Sequence, residues 1–312
     1  MRNAFVKALL QEAEKDSDIL LLVGDLGFSV FEEFMQRFPD RFFNMGVAEA
    51  NMVGAAAGLA LSGKKPFLYS IIPFVTMRCL EQINNDVCYQ NANVKIVGIG
   101  SGFSYGELGP THHAITDIAI MRALPNMAVV CPGDPVEARL ATMAAIENKG
   151  PMYLRLGRSN EPVVHSKEPD FQIGKAIELR EGSDVALIST GNMLHSCLLA
   201  AEQLLQKGIE CRLLSMHTIK PIDKAAILKA AAETKAVFSV EEHSSIGGLG
   251  SAISEVLAEG KTNALFKKIA LPDCFASVVG SQKYLREING LSADAIIATV
   301  LKTSESVGVK GH

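Results

Sequence analysis

A strand-to-helix junction is encoded in the string NMGVAEANM, residues 44–52. Gly46 suits the tight turn that such a junction needs, because a residue without a Cβ adopts backbone angles that other residues avoid. The small residues at 54–58 follow directly and would let the helix approach another backbone closely. The junction is one of a series along the chain.

Short β-rich runs alternate with longer helical patterns, which predicts an α/β fold. In the first half we expect strands at 19–23, 95–99, 127–131 and 152–156, and helices at 3–15, 49–62, 75–89, 113–123 and 135–147. In the second half we expect strands at 185–189, 211–215, 236–240 and 267–271, and helices at 193–206, 223–233, 251–259 and 292–301. Asp134 and Pro135 mark one helix start clearly, since the first supplies an N-cap and the second suits the first turn.

The periodicity fails around residues 157–174, where proline, serine and asparagine accumulate. We therefore predict two domains, residues 1–160 and 176–303, each a mainly parallel sheet flanked by helices. Residues 161–175 are predicted to be a linker, and residues 304–312 a flexible tail.

Composition excludes several classes of protein. An apolar content of 48% and a net charge of −4 over 312 residues do not fit a disordered chain. No apolar stretch reaches the roughly 20 residues of a membrane-spanning helix, and neither a secretory leader nor a basic run for nucleic acid is visible. We expect a cytoplasmic protein that binds neither membranes nor nucleic acid. The six dispersed cysteines form no Cys-x-x-Cys pair, so we expect them to be small buried hydrophobes.

Glu49 is the first candidate functional residue. A carboxylate in the first turn of a helix can simply complement the helix dipole. Its neighbours Val47, Ala50 and Met52 indicate burial, however, and a buried carboxylate needs a specific partner or a proton.

A second candidate is the loop GELGPTHH, residues 106–113, which follows the predicted strand at 95–99. Ligands of open α/β sheets gather at the carboxyl ends of strands, so the loop lies where chemistry is expected. Adjacent histidines seldom bind one ion and no third ligand is evident, so we predict no metal site. One histidine is expected to contact a substrate, while the other caps the helix or packs.

A third candidate is Glu241 with the glycines at 247–250, again between a strand and a helix. Such glycines can admit an anion at a helix N-terminus, but the dinucleotide fingerprint is incomplete, which favours structural turn glycines. Arg78, Arg155 and Arg158 are candidates for anion binding, although arginines more often stay solvated. Neither a Gly-x-Ser-x-Gly elbow nor a phosphate-loop signature occurs.

Taken together and in order, these segments resemble the transketolase family. The resemblance rests on GVAE (46–49), PF (66–67) with Phe74, GPTHH (109–113), RALPNM (122–127), and EEH (241–243) with GGLG (247–250). It covers almost the whole chain, but only the back half of a full transketolase: the pyrimidine-binding domain and the C-terminal domain. The segment of the front half that holds magnesium and diphosphate has no counterpart, because the nearest string, VGDLG at 23–27, belongs to the first strand.

The resemblance implies a thiamine diphosphate-dependent transferase that moves a two-carbon ketol unit from a ketose to an aldehyde. Glu49 matches the catalytic glutamate that hydrogen-bonds the cofactor's pyrimidine ring. Phe74 matches an aromatic residue that stacks on this ring, and Ile71 stands where transketolases often carry another aromatic. Asp25 and Leu26 match positions that border the thiazolium.

On the substrate side the resemblance implies both matches and departures. His112 matches the catalytic histidine that contacts the substrate, and Arg158 matches an arginine that grips its phosphate. Leu108 replaces an acidic residue that recognises a donor hydroxyl, and Gly100 replaces a histidine that helps to hold the phosphate. The two losses predict a non-standard sugar, with a different hydroxyl pattern, a different anionic group or a linked nucleotide.

The missing front half implies a partner, the N-terminal section of a split transketolase, in an α2β2 heterotetramer. This partner would bind most of the Mg²⁺ and the diphosphate. Three alternatives stay open: a deoxyxylulose phosphate synthase-like enzyme, the β subunit of a 2-oxo acid dehydrogenase, and a catalytically silent binding or regulatory subunit. Retention of Glu49, Phe74 and His112 argues against the silent subunit, which has no need of all three.

Overall fold

Two sheets flanked by helices organise the chain, whose computed structural model describes residues 1–306 and residue 308. Strands in both sheets are mainly parallel, so the predicted α/β fold class is confirmed. Six of the strands are buried along their whole length, as expected for parallel sheets that are covered by helices: Ile19–Val23, Lys95–Ile99, Met152–Leu156, Val185–Ser189, Cys211–Ser215 and Ala236–Ser244. No helix in the described part of the chain is long and apolar enough to cross a membrane.

The first half of the chain supplies most of a seven-stranded sheet. Its strands are β1 (Ile19–Val23), β2 (Phe42–Asn44), β3 (Lys65–Ile71), β4 (Lys95–Ile99), β5 (Ala128–Val130) and β6 (Met152–Leu156). Its helices are α1 (Arg2–Ala13), α2 (Glu32–Arg37), α3 (Glu49–Leu61), α4 (Ile72–Thr76), α5 (Leu80–Gln82), α6 (Asp117–Ala123) and α7 (Pro135–Glu147). These six strands are parallel and lie in the order β5-β6-β4-β3-β1-β2. The predicted N-cap of α7 is confirmed, because Asp134 Oδ1 accepts a 2.8 Å hydrogen bond from the Glu137 N–H.

The second half forms a five-stranded sheet and lends one further strand to the first. Its strands are β7 (Ile177–Arg180), β8 (Val185–Ser189), β9 (Cys211–Ser215), β10 (Thr218–Lys220), β11 (Ala236–Ser244) and β12 (Leu265–Leu271). Its helices are α8 (Leu194–Gln206), α9 (Lys224–Glu233), α10 (Leu249–Glu259), α11 (Gln282–Ile288) and α12 (Ala293–Ser306). The sheet order is β12-β11-β8-β9-β7, with only β7 antiparallel to its neighbour. The remaining strand, β10, crosses over and pairs antiparallel with β5 as the seventh strand of the first sheet.

Several elements depart from the sequence predictions. Strand β3 was not predicted, because Pro66 breaks its signal: proline cannot donate to a ladder. It nevertheless lies in the middle of the first sheet, between β1 and β4. The helix predicted at 75–89 is instead divided into α4, α5 and a π-helical turn at Ile83–Cys88. Helix α6 begins at Asp117 and not at residue 113.

Two further expectations concern the surface and the end of the chain. Gly58 faces open space, since a Cβ added there would meet no described atom within 4 Å, so the close backbone approach expected for α3 is not made at this residue. Helix α12 continues to Ser306, past the start of the predicted tail at residue 304. Residues 307 and 309–312 of that tail lie outside the described residues.

A buried arginine joins the two halves. Arg155 Nε donates to Asp117 Oδ2 at 2.7 Å, and Arg155 Nη2 donates to the Ala114 carbonyl at 2.7 Å and to the Glu242 carbonyl at 3.2 Å. Tyr153 Oη donates to the same Asp117 oxygen at 2.7 Å. Arg155 is therefore not a solvated arginine: its five N–H donors suit several fixed acceptors at once, and its contacts bridge strand, loop and second domain.

Candidate active site

The predicted site residues follow the carboxyl ends of five adjacent strands. In spatial order the strands are β2, β1, β3, β4 and β6, and all are parallel. The ends of these strands, and the loops and helix starts after them, carry Glu49, then Asp25 and Leu26, then Ile71 and Phe74, then Leu108 and His112, and finally Arg158. Residues that lie far apart in the chain therefore share one edge of one sheet, which is where open α/β sheets bind ligands.

Glu49 is the buried carboxylate of this edge. Only 1% of its side chain is exposed, so the expected burial is confirmed. Ser70 Oγ, at the end of β3, donates to Glu49 Oε1 at 3.1 Å. Arg78 Nη1 donates to Glu49 Oε2 at 2.7 Å, which forms an ion pair. The carboxylate thus has the specific partners that a buried charge requires.

Gly24 leaves the space that brings Glu49 against strand β1. A Cβ at this position would lie 3.1 Å from Ser70 Oγ and 3.2 Å from Glu49 Cγ, tighter than ordinary contact. A larger residue would therefore push the carboxylate away from the sheet edge. No sequence signal distinguished Gly24 from other turn glycines, because the neighbour that demands it lies far along the chain.

Aromatic rings continue the site from Glu49 towards Arg158. The Arg78 guanidinium carbon lies 4.5 Å from the Phe74 ring centroid, and Phe74 meets the His112 imidazole edge-on at 5.1 Å. His112 in turn lies 6.3 Å from the ring of Tyr105, over which the Arg158 guanidinium sits at 4.9 Å. The row places a carboxylate at one end and a guanidinium at the other.

The two adjacent histidines have different surroundings. His112 is half-buried and its Nδ1 lies 3.0 Å from Thr111 Oγ1. Burial lowers the pKa of His112, and the neighbouring His113 lowers it further, which favours the neutral imidazole near neutral pH. His113 is buried, contacts the Gly106 carbonyl and packs on Phe103. His113 therefore packs, as expected for one of the two histidines, whereas the substrate contact expected of His112 stays a prediction.

Asp25, Leu26 and Ile71 surround the same edge. Asp25 adopts a positive φ of 53°, and its Oδ1 accepts a 3.0 Å hydrogen bond from Asn44 Nδ2. Asn44 Oδ1 in return accepts from the Asp25 N–H and the Gly46 N–H. This exchange ties the loop after β1 to the loop after β2. Leu26 and Ile71 are half-buried beside it.

Leu108 and Arg158 line one cavity of about 260 Å³. Leu108 is 55% exposed, so its side chain presents an apolar surface to this cavity. The opposite wall comes from the second domain, at residues 280–282. Gln282 Nε2 donates to Ser104 Oγ at 3.2 Å and thereby links the two domains across this cavity.

The third sequence candidate, Glu241 with the glycines at 247–250, lies elsewhere, and its hydrogen-bonding groups already have partners within the chain. Glu241 accepts hydrogen bonds from the Leu249 and Gly250 N–H groups, at 2.7 and 2.8 Å, at the start of α10. The helix N-terminus is therefore filled by a carboxylate of the chain itself, which confirms the interpretation of the glycines at 247–250 as structural. Five of the six cysteines are buried as expected, whereas Cys274 is exposed.

The residues at the sheet edge fit the pyrimidine half of thiamine diphosphate. An aminopyrimidine needs a flat apolar surface and a hydrogen-bonding carboxylate, and Phe74 and Glu49 supply these close together. Burial, with a further contribution from the charge of Glu49, raises the pKa of Cys79 to about 12, so this thiol stays protonated beside the site. Within residues 1–306 and 308, no group of three or more histidines, cysteines or carboxylates could hold a metal ion.

Besides Gly24, sequence reasoning missed Ser70, Tyr105 and the particular role of Arg78. Ser70 lies near the end of the unpredicted strand β3, and Tyr105 precedes the loop that was singled out. Arg78 was noted only as one arginine among several. Arg78 follows Phe74 by four residues, and this spacing was a possible signal that the two side chains meet. The contact depends, however, on the break between α4 and α5, which sequence periodicity did not indicate.

Comparisons with known proteins match this arrangement. The family model for the transketolase pyrimidine binding domain matches residues 1–163, and that for the transketolase C-terminal domain matches residues 174–296. The 6-deoxy-6-sulfo-D-fructose transketolase subunit of Clostridium sp. is 41% identical over 306 residues, which cover 98% of this chain and 94% of that protein. A subunit of the apulose-4-phosphate transketolase of Actinobacillus succinogenes is 37% identical, over 96% and 97% of the two chains. A solved structure described as a split gene transketolase, inactive β4 tetramer, has a TM-score of 0.89 and 39% identity, with 98% of both chains covered.

The fold, the residues at the sheet edge and these matches define a two-domain α/β chain of the thiamine diphosphate-dependent transferases. The chain belongs to the transketolase family and corresponds to its pyrimidine-binding and C-terminal domains. The predicted resemblance to the C-terminal section of a split transketolase is confirmed.

Proposed function

We propose that this chain is the pyrimidine-side subunit of a split transketolase, which moves a two-carbon ketol unit from a non-standard sugar to an aldehyde. The observation that carries the proposal is the juxtaposition of Glu49, Phe74 and His112 at the carboxyl edge of the first sheet. When bound, thiamine diphosphate would supply the nucleophilic carbon and the electron sink for this chemistry. We also propose that the chain is cytoplasmic.

The residues of this chain then have distinct roles in our proposal. Glu49 hydrogen-bonds the pyrimidine ring, and Phe74 stacks on it beside Ile71. Asp25 and Leu26 border the thiazolium. These roles agree with the burial of Glu49 and with the flat aromatic surface next to it.

Substrate contacts follow the row of rings away from Glu49. His112, neutral because burial lowers its pKa, donates or accepts hydrogen bonds with sugar hydroxyls. Arg158 binds an anionic group at the far end of the sugar, in the cavity that it shares with Leu108. Two relatives are named for 6-deoxy-6-sulfo-D-fructose and apulose 4-phosphate, sugars that carry such groups, and these names support a non-standard substrate.

A partner chain completes the proposed enzyme. Two relatives are named as subunits, and the similar solved chain is described as an inactive β4 tetramer. We propose that this chain is likewise inactive alone, and that a diphosphate-binding N-terminal section, which also binds Mg²⁺, joins it in an α2β2 heterotetramer.

Titration calorimetry with thiamine diphosphate and Mg²⁺ tests the proposal. The chain is measured alone and then with its diphosphate-binding partner, which is first sought in the neighbouring reading frame. We expect binding only with the partner. Glu49→Gln should abolish this binding or weaken it strongly, while the matched control Glu255→Gln, an exposed carboxylate paired with Arg122, should bind as the wild type does. Absence of binding in the wild-type complex would refute the proposed function.

A further inference from the structure

Arg78 makes both of the contacts that the proposed function assigns to the cofactor's pyrimidine ring. Its guanidinium donates to Glu49 Oε2 at 2.7 Å, and the same group lies 4.5 Å from the centroid of the Phe74 ring. A guanidinium is planar, cationic and well suited to stack on an aromatic face while it donates to a carboxylate. It is therefore a close mimic of a protonated or amino-bearing heteroaromatic ring.

A ligand ring that used the same side of Glu49 Oε2 and the same face of Phe74 would occupy the volume that the Arg78 guanidinium fills. Ser70 donates to the other oxygen, Glu49 Oε1, so each oxygen of the buried carboxylate already accepts a hydrogen bond from a side chain of this chain. Phe74 also contacts the His112 ring, with the two ring centroids 5.1 Å apart. The space next to Phe74 and Glu49 therefore belongs either to Arg78 or to a ligand ring.

The surroundings of Arg78 allow its side chain to leave this position. Its side chain is 44% exposed, whereas that of Glu49 is 1% exposed, so the arginine can swing into solvent while the carboxylate stays. Arg78 lies in the break between α4 and α5, outside both helices. Movement of its side chain would cost no helical hydrogen bond of either element.

We propose that Arg78 is a placeholder that occupies the pyrimidine subsite in the cofactor-free chain and is displaced when the cofactor binds. This inference rests on the proposed function. In the free chain Arg78 satisfies the buried charge of Glu49, which would otherwise lack its cationic partner. The same contact lowers the apparent affinity for the cofactor, because only molecules with Arg78 displaced are competent to bind.

The experiment measures thiamine diphosphate binding to the complete complex in the presence of Mg²⁺. Arg78→Gln removes the charge and the planar cation, and we expect it to tighten the dissociation constant roughly tenfold. Arg78→Lys keeps a charge that can pair with Glu49 but loses the planar guanidinium that stacks on Phe74. The cofactor affinity of this variant should therefore lie between those of the wild type and Arg78→Gln. Arg139→Gln is the matched control, since Arg139 is a partly exposed arginine on α7 that pairs with Glu168, away from the site.

Each outcome separates this inference from the proposed function. If the wild-type complex binds the cofactor and Arg78→Gln binds it equally or more weakly, the placeholder is refuted while the proposed function stands. If the wild-type complex does not bind, the proposed function fails and the placeholder fails with it. Should Arg78→Gln unfold, the lysine variant decides, and a dissociation constant no tighter than that of the wild type refutes the inference.

Discussion

At the scale of single residues, Leu108 is the clearest of the predicted departures from the family pattern. Its apolar side chain is 55% exposed in the cavity that also contains Arg158. A leucine cannot accept a hydrogen bond, so a sugar hydroxyl placed there would lose its partner from water without gaining one. We therefore expect this residue to select against substrates whose hydroxyl points to it.

Leu108→Asp should restore an acceptor for that hydroxyl. A hydrogen bond to a charged group contributes about 1.5–3 kcal/mol, so we expect kcat/KM for xylulose 5-phosphate to rise at least about tenfold in the assembled enzyme. Steady-state assays check this, with Leu205→Asp on α8 as a control for adding a carboxylate to an exposed leucine. High wild-type turnover of xylulose 5-phosphate that Leu108→Asp leaves unchanged would contradict this account of Leu108.

At the scale of elements, the predicted linker is fastened to helix α7 by a buried ion pair. His165 Nε2 lies 2.8 Å from Glu137 Oε1, and the side chains are 7% and 0% exposed. Asp134, the N-cap of α7, also accepts hydrogen bonds from the Val164 and His165 N–H groups. A segment whose composition indicated a linker is therefore held by side chains of the first domain.

The stability that this pair contributes should depend on pH. Burial alone would lower the pKa of His165, but the hydrogen bond and charge of Glu137 outweigh burial and raise it. Burial would likewise raise the pKa of Glu137, but His165 and neighbouring donors outweigh it and lower the pKa. The contribution of His165 is therefore complete below its unfolded pKa of about 6.5 and is lost as the pH rises through its folded pKa. That of Glu137 is lost as the pH falls below about 4.5 and through its folded pKa.

His165→Gln should consequently destabilise the chain most between about pH 4.5 and pH 6.5. We expect its cost to be about 1 kcal/mol larger near pH 5.5 than near pH 8.5. Urea unfolding of the wild type, His165→Gln and the control His195→Gln at both pH values measures the difference. An equal loss of stability at both pH values would show that only a neutral hydrogen bond joins the linker to α7.

At the scale of the whole molecule, Arg155 and strand β10 hold the two domains together. Arg155 is buried and bridges Asp117 and Ala114 of the first domain and the Glu242 carbonyl of the second. The charges of Asp117 and its surroundings outweigh burial and raise the pKa of Arg155, so it stays protonated. Strand β10 completes the first sheet from within the second domain. The active-site wall at residues 280–282 therefore stands in a defined position opposite Leu108 and Arg158.

Arg155→Met should destabilise the protein by about 3–5 kcal/mol, because it leaves the Asp117 carboxylate buried without its partner. The double variant Arg155→Met, Asp117→Leu removes both charges and should lose less stability than Arg155→Met alone. Denaturant unfolding of the two variants and of the wild type gives the comparison. A loss below about 1 kcal/mol for Arg155→Met would mean that Tyr153 alone suffices for Asp117.

The sequence by itself determined the fold class, the order of the main strands and helices, and the positions of Glu49, Phe74, His112 and Arg158. These features depend on local periodicity and on short ordered motifs, both of which can be followed along the chain. Strand β3 was not predicted because a proline masked its pattern. The break before α5 was not predicted because helical spacing continues through it.

Only the tertiary structure decided which of these residues meet. It placed Arg78 on both Glu49 and Phe74, set residues 280–282 against the loop that carries Leu108, and inserted β10 into the first sheet. The physical reason is that such contacts join residues far apart in the chain, and their free energy comes from burial, charge pairing and strand pairing that exist only once the sheets have formed. The sequence therefore identified a subunit of a transketolase-type enzyme, and the fold showed an arginine in the place where its cofactor ring is proposed to bind.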